Sequence, residues 1–320
     1  MLKTLVLAAL ALSTTSATAF QEIDPQLPDY KVRTDGIAGT LKSIGSDTIL
    51  NLMTNWTEVF REYYPAVQVQ VEGKGSSTAP PALLDNQAQF GPMSREMESD
   101  EIAEFRARFG YEPTALRAAI DCIAIFVNKD CPIETISLEQ LEEAFSVAGE
   151  ELTWGDLGAT DPAWATRPLS LYSRNSASGT YKFFKKVALN RNDYKESVKE
   201  QPGSAGVVNA ISSDPYGIGY SGVGFRTPDV KILRVSEYTG EDGFDPDLEA
   251  ANSGDYPLAR FLYVYVNHDP RTPLDSLRGE FIRMIFSKKG QEAVIRDGAF
   301  PISAGVATEE LTKVGLATGG

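Results

Sequence analysis

Residues 169–189 read LSLYSRNSASGTYKFFKKVAL, and three patterns follow one another along them. Leu169-Ser170-Leu171-Tyr172 alternates as a short strand does. Residues 173–180 are small and polar, and Arg174 is their one charge. Residues 181–189 return to a helical pattern. A strand therefore ends in a small-residue turn that opens a helix. The same arrangement recurs at Gly45-Ser46-Asp47-Thr48, after a strand over 40–44, and at Gly75-Ser76-Ser77-Thr78, after the alternating Val67, Val69 and Val71. Strand–helix alternation of this kind predicts an α/β fold with largely parallel sheets.

Toward the N-terminus, Ile49, Leu52, Met53, Trp56, Val59, Phe60 and Tyr63 recur at helical spacing, with Ser46 placed as N-cap and Pro65 as the stop. Pro80 and Pro81 fit only the first turn of the next helix. A short strand ends at Phe90-Gly91-Pro92-Met93-Ser94-Arg95. Residues 114–127 read as one long extended segment interrupted by Asp121. Ser137 and Gln140 form a capping-box pattern. A helix over 204–211, a Gly-flanked strand over 218–220, an aromatic strand over 261–266 and helices over 274–286 and 290–296 complete the reading.

Bulk properties narrow the function. Lys3, the apolar run over 5–12 and Ala17-Thr18-Ala19 compose a cleavable secretory signal, with cleavage after Ala19. No Cys follows the run to take a lipid anchor, and no later stretch is long enough to span a membrane. A net charge of -14 argues against nucleic acid and anionic membranes as partners. It also means that an anion site must be built from local donors. Cys122 and Cys131 are the two cysteines. Extended chain between them holds their Cα atoms ~30 Å apart, against the ~7 Å a disulfide allows, so they read as free thiols.

Helix N-termini present unpaired N–H groups and the positive end of the helix dipole, which suits them to oxyanions. Hydroxyls add donors, and Arg174 can add a planar fork. Carboxyl ends of strands in α/β sheets gather in one crevice, so the three turns are candidates for a single site. Enzyme signatures are missing: there is no G-x-S-x-G elbow, no phosphate-binding P-loop and no His/Cys cluster. His268, the single histidine, reads as a solvated loop residue. No catalytic residue, metal or cofactor is assigned.

Gly45-Ser46-Asp47-Thr48, Gly75-Ser76-Ser77, Phe90-Gly91-Pro92-Met93-Ser94-Arg95 and Arg174-Asn175-Ser176-Ala177-Ser178-Gly179-Thr180 come in an order that resembles the PstS family, the phosphate-binding proteins of ABC transporters. Gly219-Tyr220-Ser221-Gly222 and Tyr256-Pro257-Leu258-Ala259-Arg260 also look like features of that family's second lobe. The resemblance runs from about residue 39 to the C-terminus. It implies a type II periplasmic-binding-protein fold, two α/β lobes joined by two extended crossings. Lobe 1 would hold 39–118 and 262–320 and lobe 2 119–261, with crossings near 119–122 and 258–261 and an irregular extension over 20–38. It further implies a periplasmic monomer that captures inorganic phosphate for a permease. Ser46, Asp47, Thr48, Ser76 and Ser94 would come from lobe 1, and Arg174, Ser178, Gly179 and Thr180 from lobe 2, with Ser77, Arg95 and Asp121 as further candidates. The alternatives are another tetrahedral oxyanion, sulfate or an organic phosphate, and then a phosphoester hydrolase.

Two departures from the family stand out. Ser94 stands where many members carry Asp, and Ser176 where many carry an acidic partner for the Arg. Arg174 is thus expected to lack its local carboxylate. The proton of monohydrogen phosphate needs another acceptor, with Asp47 the first candidate, Asp121 the second and a hydroxyl such as Ser94 the third.

Overall fold

The computed structural model describes residues 22–33 and 36–316, and the expected signal segment, 1–19, lies outside the described residues. The chain opens with β1 (Gly39–Gly45), α1 (Leu50–Tyr63), β2 (Val67–Gly73), α2 (Ala79–Leu84), β3 (Phe90–Met93) and α3 (Ser99–Phe109). It continues with β4 (Thr114–Asn128), β5 (Thr135–Ser137), α4 (Leu138–Phe145), α5 (Pro162–Ala165), β6 (Ser170–Arg174), α6 (Gly179–Val187), β7 (Lys199–Gln201), α7 (Gly203–Ser213), β8 (Gly217–Gly222), β9 (Val230–Ser236) and α8 (Leu248–Ser253). β10 (Ala259–Val266), α9 (Ser276–Ile285), α10 (Lys288–Arg296) and α11 (Ala304–Lys313) end it.

The two largest of five buried apolar clusters among the described residues organise these elements. In the first, α1 lays Leu52, Met53, Trp56, Val59 and Phe60 against the sheet, where Phe281, Ile282 and Ile285 of α9 and Val294 of α10 meet them. The Trp56 indole N–H donates to the Gly290 carbonyl at 2.8 Å, so the largest side chain of this core is also satisfied. In the second core, Ile123, Ile125 and Val127 of β4 pack with Phe145, Phe184, Trp154 and Tyr220. The Phe184 and Tyr220 rings stack at 3.8 Å.

Strand order runs β2-β1-β3-β10-β4-β8-β6-β7, with β9 beside β4 and β5 beside β9. β1 is parallel to β2 and β3, and β6 is parallel to β7 and β8. Every antiparallel pairing between these strands involves β4 or β10. The α/β expectation therefore holds, with a mixed sheet whose antiparallel part is the pair of strands joining the two cores. β4 has 15 residues and runs from one core into the other, and β10 pairs with its first half.

Four local readings need correction. α1 begins at Leu50, and its N-cap is Ile49 with no side-chain cap, so Ser46 does not cap it. The Ser46 N–H instead donates to the Pro92 carbonyl at 2.7 Å, which leaves residues 46–49 as a turn wide enough to aim the Ser46 hydroxyl elsewhere. His268 is buried rather than solvated, with Nε2 3.0 Å from the Thr272 carbonyl. The helix over 181–189 starts earlier, at Gly179. A further C-terminal helix, α11, follows the two expected ones.

Cys122 and Cys131 are unpaired and buried, and burial pushes the Cys131 thiol up to about 11. A reversal does follow β4, with Cys131 N–H donating to the Asn128 carbonyl. It sets Cys131 beside the end of the strand, while Cys122 sits six residues back, ~20 Å along it. The described residues before β1 form no helix or strand but are tied down. Leu27 and Ile37 are buried, Tyr30 donates to Glu280 at 2.9 Å, and Asp24 accepts from the Ala304 N–H at 2.8 Å.

Candidate functional site

The carboxyl ends of β1, β3 and β6 converge with the N-terminus of α6. Ser46 follows β1, Ser94 follows β3, and Ser76 opens a single helical turn, Ser76–Thr78, that runs into α2. Their hydroxyls form a chain: Ser46 Oγ donates to Ser94 Oγ at 3.1 Å, and Ser76 Oγ lies 3.2 Å from Ser94 Oγ. The Ser94 N–H donates to Ser76 Oγ at 3.0 Å, and all three residues are buried.

α6 brings the opposing face. Ser178 caps it, accepting from the N–H groups of Thr180 (3.1 Å) and Tyr181 (3.4 Å). Gly179 is required by contact, because a Cβ there would lie 2.3 Å from Ser76 Oγ and 2.6 Å from Ser94 Oγ. Thr180 Oγ1 lies 3.0 Å from Thr48 Oγ1, across the same divide. Gly75 has φ +111°, and a Cβ there would meet the Ala177 carbonyl at 2.6 Å. The Ser77 N–H donates to that carbonyl at 3.1 Å, so the two faces are in hydrogen-bonded contact.

Arg174, at the end of β6, is 2% exposed. Its Nη1 donates to Ser204 Oγ at 2.6 Å and Thr48 Oγ1 at 3.3 Å, and its Nη2 donates to Asp47 Oδ2 at 3.1 Å. The same oxygen accepts from the Ser204 N–H at 2.8 Å. Burial lowers the Arg174 pKa, and Asp47 opposes that shift. As expected, Arg174 has no local carboxylate, since Ser176 offers none; Asp47 supplies the counter-charge from across the site.

A second guanidinium, present in the sequence reading only within Tyr256-Pro257-Leu258-Ala259-Arg260 and not as a site candidate, joins the site. Arg260 on β10 stands directly opposite Asp121 on β4. Its Nε and Nη2 both donate to Asp121 Oδ2, at 3.1 and 2.8 Å. Nη1 donates to the Ser94 carbonyl at 2.8 Å and Nη2 to Thr180 Oγ1 at 2.9 Å. The Phe183 ring lies 5.4 Å from this guanidinium. Burial raises the Asp121 pKa, and Arg260 opposes it. Arg260 follows Tyr256-Pro257-Leu258-Ala259 in a stretch already read as a crossing; its pairing with the polar break at Asp121 is the signal that could have found it. Ser204 was likewise overlooked, read only as the start of a helix.

Arg95 and Ser77 stand apart from the hydroxyl chain. Arg95 donates to both oxygens of Glu101, at 2.7 and 2.8 Å, and to the Glu96 carbonyl at 2.7 Å. Ser77 Oγ lies 3.4 Å from its Nη2. Each of the two inner guanidiniums is matched by one carboxylate, Asp47 or Asp121. The arrangement offers hydroxyl and guanidinium donors around a point between two cores. Among the described residues no imidazole or free carboxylate is hydrogen-bonded to the serine hydroxyls. Among the described residues no group of three or more His, Cys, Asp or Glu is arranged to hold a metal, and no helix is long and apolar enough to cross a membrane. Two openings flank the site. One, of about 690 Å³, is lined by Arg260 and the exposed side of α6; the other, of about 290 Å³, is lined by Asp47, Lys74, Arg174 and Asn175.

Comparison with known proteins fits this geometry. Residues 32–289 match the family model described as PBP superfamily domain. The phosphate-binding protein PstS of Pseudomonas aeruginosa is 45% identical over 307 residues, covering 94% of each chain. Among solved structures, an ABC-type phosphate transport receptor from Vibrio cholerae superposes with TM-score 0.65 at 20% identity, over 82% of this chain and all of that one. A phosphate-binding protein from Stenotrophomonas maltophilia superposes with TM-score 0.61 at 13% identity, over 84% of this chain and 92% of that one. The chain belongs to the periplasmic-binding-protein superfamily, and within it to the PstS family of phosphate-binding proteins.

Proposed function

We propose that the protein captures inorganic phosphate outside the cytoplasm and passes it to an ABC-transporter permease, acting as a monomer and without catalysis. The observation that carries this reading is the convergence of buried hydroxyls from two cores on two guanidiniums, each already matched by a carboxylate. The Pseudomonas aeruginosa relative, named for phosphate binding, supports the choice of anion. The two lobes are assigned as residues 39–118 with 262–316, and 119–261, and β4 and β10 serve as the hinge crossings. Removal of residues 1–19 accompanies export.

In this reading Ser46, Thr48, Ser76, Ser94 and Thr180 donate hydroxyls, and the α6 N-terminus, at Ser178 and Gly179, offers its backbone N–H groups and dipole. Arg174 and Arg260 grip the anion from two sides. Asp47 and Asp121 hold these guanidiniums in place rather than facing the anion, and Arg95 with Ser77 shapes the rim. Closure removes water, which strengthens each charge-assisted bond in the site. Selectivity against sulfate then rests on the proton of monohydrogen phosphate, whose acceptor is a serine oxygen, with Ser94 best placed. Sulfate would meet that oxygen's hydroxyl network without a proton to give it.

The test is competition. Purified protein saturated with radiolabelled phosphate should release it to unlabelled phosphate, and not to the same concentration of sulfate or glycerol phosphate. Equal displacement by sulfate or by the organic phosphate would replace inorganic phosphate as the ligand.

A further inference from the structure

A protein with a net charge of -14 repels the anion it is proposed to bind. The wider opening of the site departs from that average. Its wall carries Lys182, Lys186 and Arg191, and among the described residues none of these three forms an ion pair. The other cations in the wall are engaged: Arg95 with Glu101, Lys185 with Asp193 and Arg260 with Asp121. The acids across the opening are Glu96 and Glu98. At the opposite opening the wall carries Asp47, Lys74 and Arg174, and both of these cations are paired, Lys74 with Glu72 and Arg174 with Asp47.

Position makes these cations more than a surface cluster. α6 begins at Gly179, against the hydroxyls of Ser76 and Ser94. Lys182 and Lys186 lie four residues apart on that helix, hence on one face. The helical rise puts Lys186 about 10 Å beyond the N-terminus at the site, close to one screening length at physiological salt. Like charges at this spacing weaken an isolated helix, so the Lys182–Lys186 spacing itself adds nothing to folding, although Lys186 in the last turn complements the helix dipole. At the inner end the wall reaches Arg260, whose guanidinium also touches Thr180 and the Ser94 carbonyl.

Building on the phosphate-binding reading, we infer that Lys182, Lys186 and Arg191 form an outer anion-collecting site. It draws phosphate to the α6 side of the cleft and hands it to Arg260. The site acts on the approach of the ligand, since none of the three cations touches the inner hydroxyls. It therefore governs the association rate and leaves the lifetime of the closed complex unchanged.

The probe is inorganic phosphate. Dissociation rates come from chase of radiolabelled phosphate, affinities from equilibrium dialysis, and association rates from their ratio. In about 10 mM salt, where screening is weak, the Lys182→Gln/Lys186→Gln/Arg191→Gln protein should associate about tenfold more slowly than wild type, with an unchanged dissociation rate. The deficit should shrink as salt rises. Glu96→Gln/Glu98→Gln should shift the association rate the other way. The wild-type affinity tests the parent reading separately. Given a wild type that binds phosphate, an unchanged association rate in the triple variant overturns the inference, as does a change carried by the dissociation rate.

Discussion

Asp47 and Arg174 approach from opposite sides of the site, and Asp47 Oδ2 lies 3.1 Å from Arg174 Nη2. The carboxylate follows β1, whose core is built with the C-terminal helices; the guanidinium ends β6, in the other core. Ser204 ties the pair, donating its N–H to the carboxylate and accepting from the guanidinium through Oγ. The Arg174 charge is thus neutralised by a carboxylate from the facing core rather than by a local partner.

Asp47→Asn should therefore loosen the closed form. In small-angle scattering without ligand, the variant should show a larger radius of gyration than wild type, and phosphate affinity should drop about tenfold. A double-mutant cycle with Arg174→Ala should give a coupling of ~1–3 kcal/mol, as expected of directly paired residues. Additive effects would show that the pair does not act as a unit.

Arg174→Ala should cost ~2–5 kcal/mol of phosphate binding, because it removes a buried charge partner. Arg174→Lys should not restore the affinity, since one ammonium cannot reach Ser204, Thr48 and Asp47 in the geometry of the planar fork. Titration of both variants against wild type decides this, and full rescue by Lys would mean that only the charge matters.

The same logic applies to Asp121, with stability as the readout. Asp121 is buried and carries two bonds from Arg260, so Asp121→Asn leaves that guanidinium without its counter-charge. Removing one member of a buried pair costs ~3–5 kcal/mol. Denaturant unfolding should show a loss of that order. An Asp121→Asn/Arg260→Met protein should recover much of the stability without recovering binding.

Much of this was legible in residues 169–189 and their two echoes, because a strand, a small-residue turn and a helix are each local patterns. The hydroxyl chain follows from the same pattern, since Ser46 and Ser94 directly follow β1 and β3 and Ser76 lies in the turn after β2, with Thr180 facing them from the start of α6. What stayed hidden is cross-strand. Arg260 faces Asp121 only through the β4–β10 register, 139 positions apart in sequence, and Asp47 and Arg174 are 127 positions apart. α3 escaped for a different reason: its capping box uses Glu98 with Glu101 in place of the usual Ser, Thr, Asp or Asn. Ser46 was misjudged because a serine before an apolar repeat signals a cap equally well when its hydroxyl belongs to a site.

Asp297, at the end of α10, is pushed up to about 7 from the usual 3.8, first by burial and then by the Asp121 charge. The unfolded chain ionises this carboxyl near its ordinary value, while the folded protein keeps the proton to about 7. The unfolded state thus binds fewer protons through this window. Stability falls as pH rises from about 4 to about 7, and the penalty is constant above it. Asp297→Asn should melt higher than wild type at pH 8, by about 2–4 °C for each ~1 kcal/mol removed. The two should melt together near pH 3.5. A melting difference that does not change with pH would rule out this carboxyl as the source.

In the proposed reading, two paired guanidiniums and a chain of buried hydroxyls hold one phosphate between the lobes. Isothermal calorimetry of the ligand-stripped protein with inorganic phosphate tests it most directly. One site per chain with a dissociation constant of about 1 μM or tighter is predicted, equivalent to at least ~8 kcal/mol. An absence of heat and of saturation up to millimolar phosphate would contradict it.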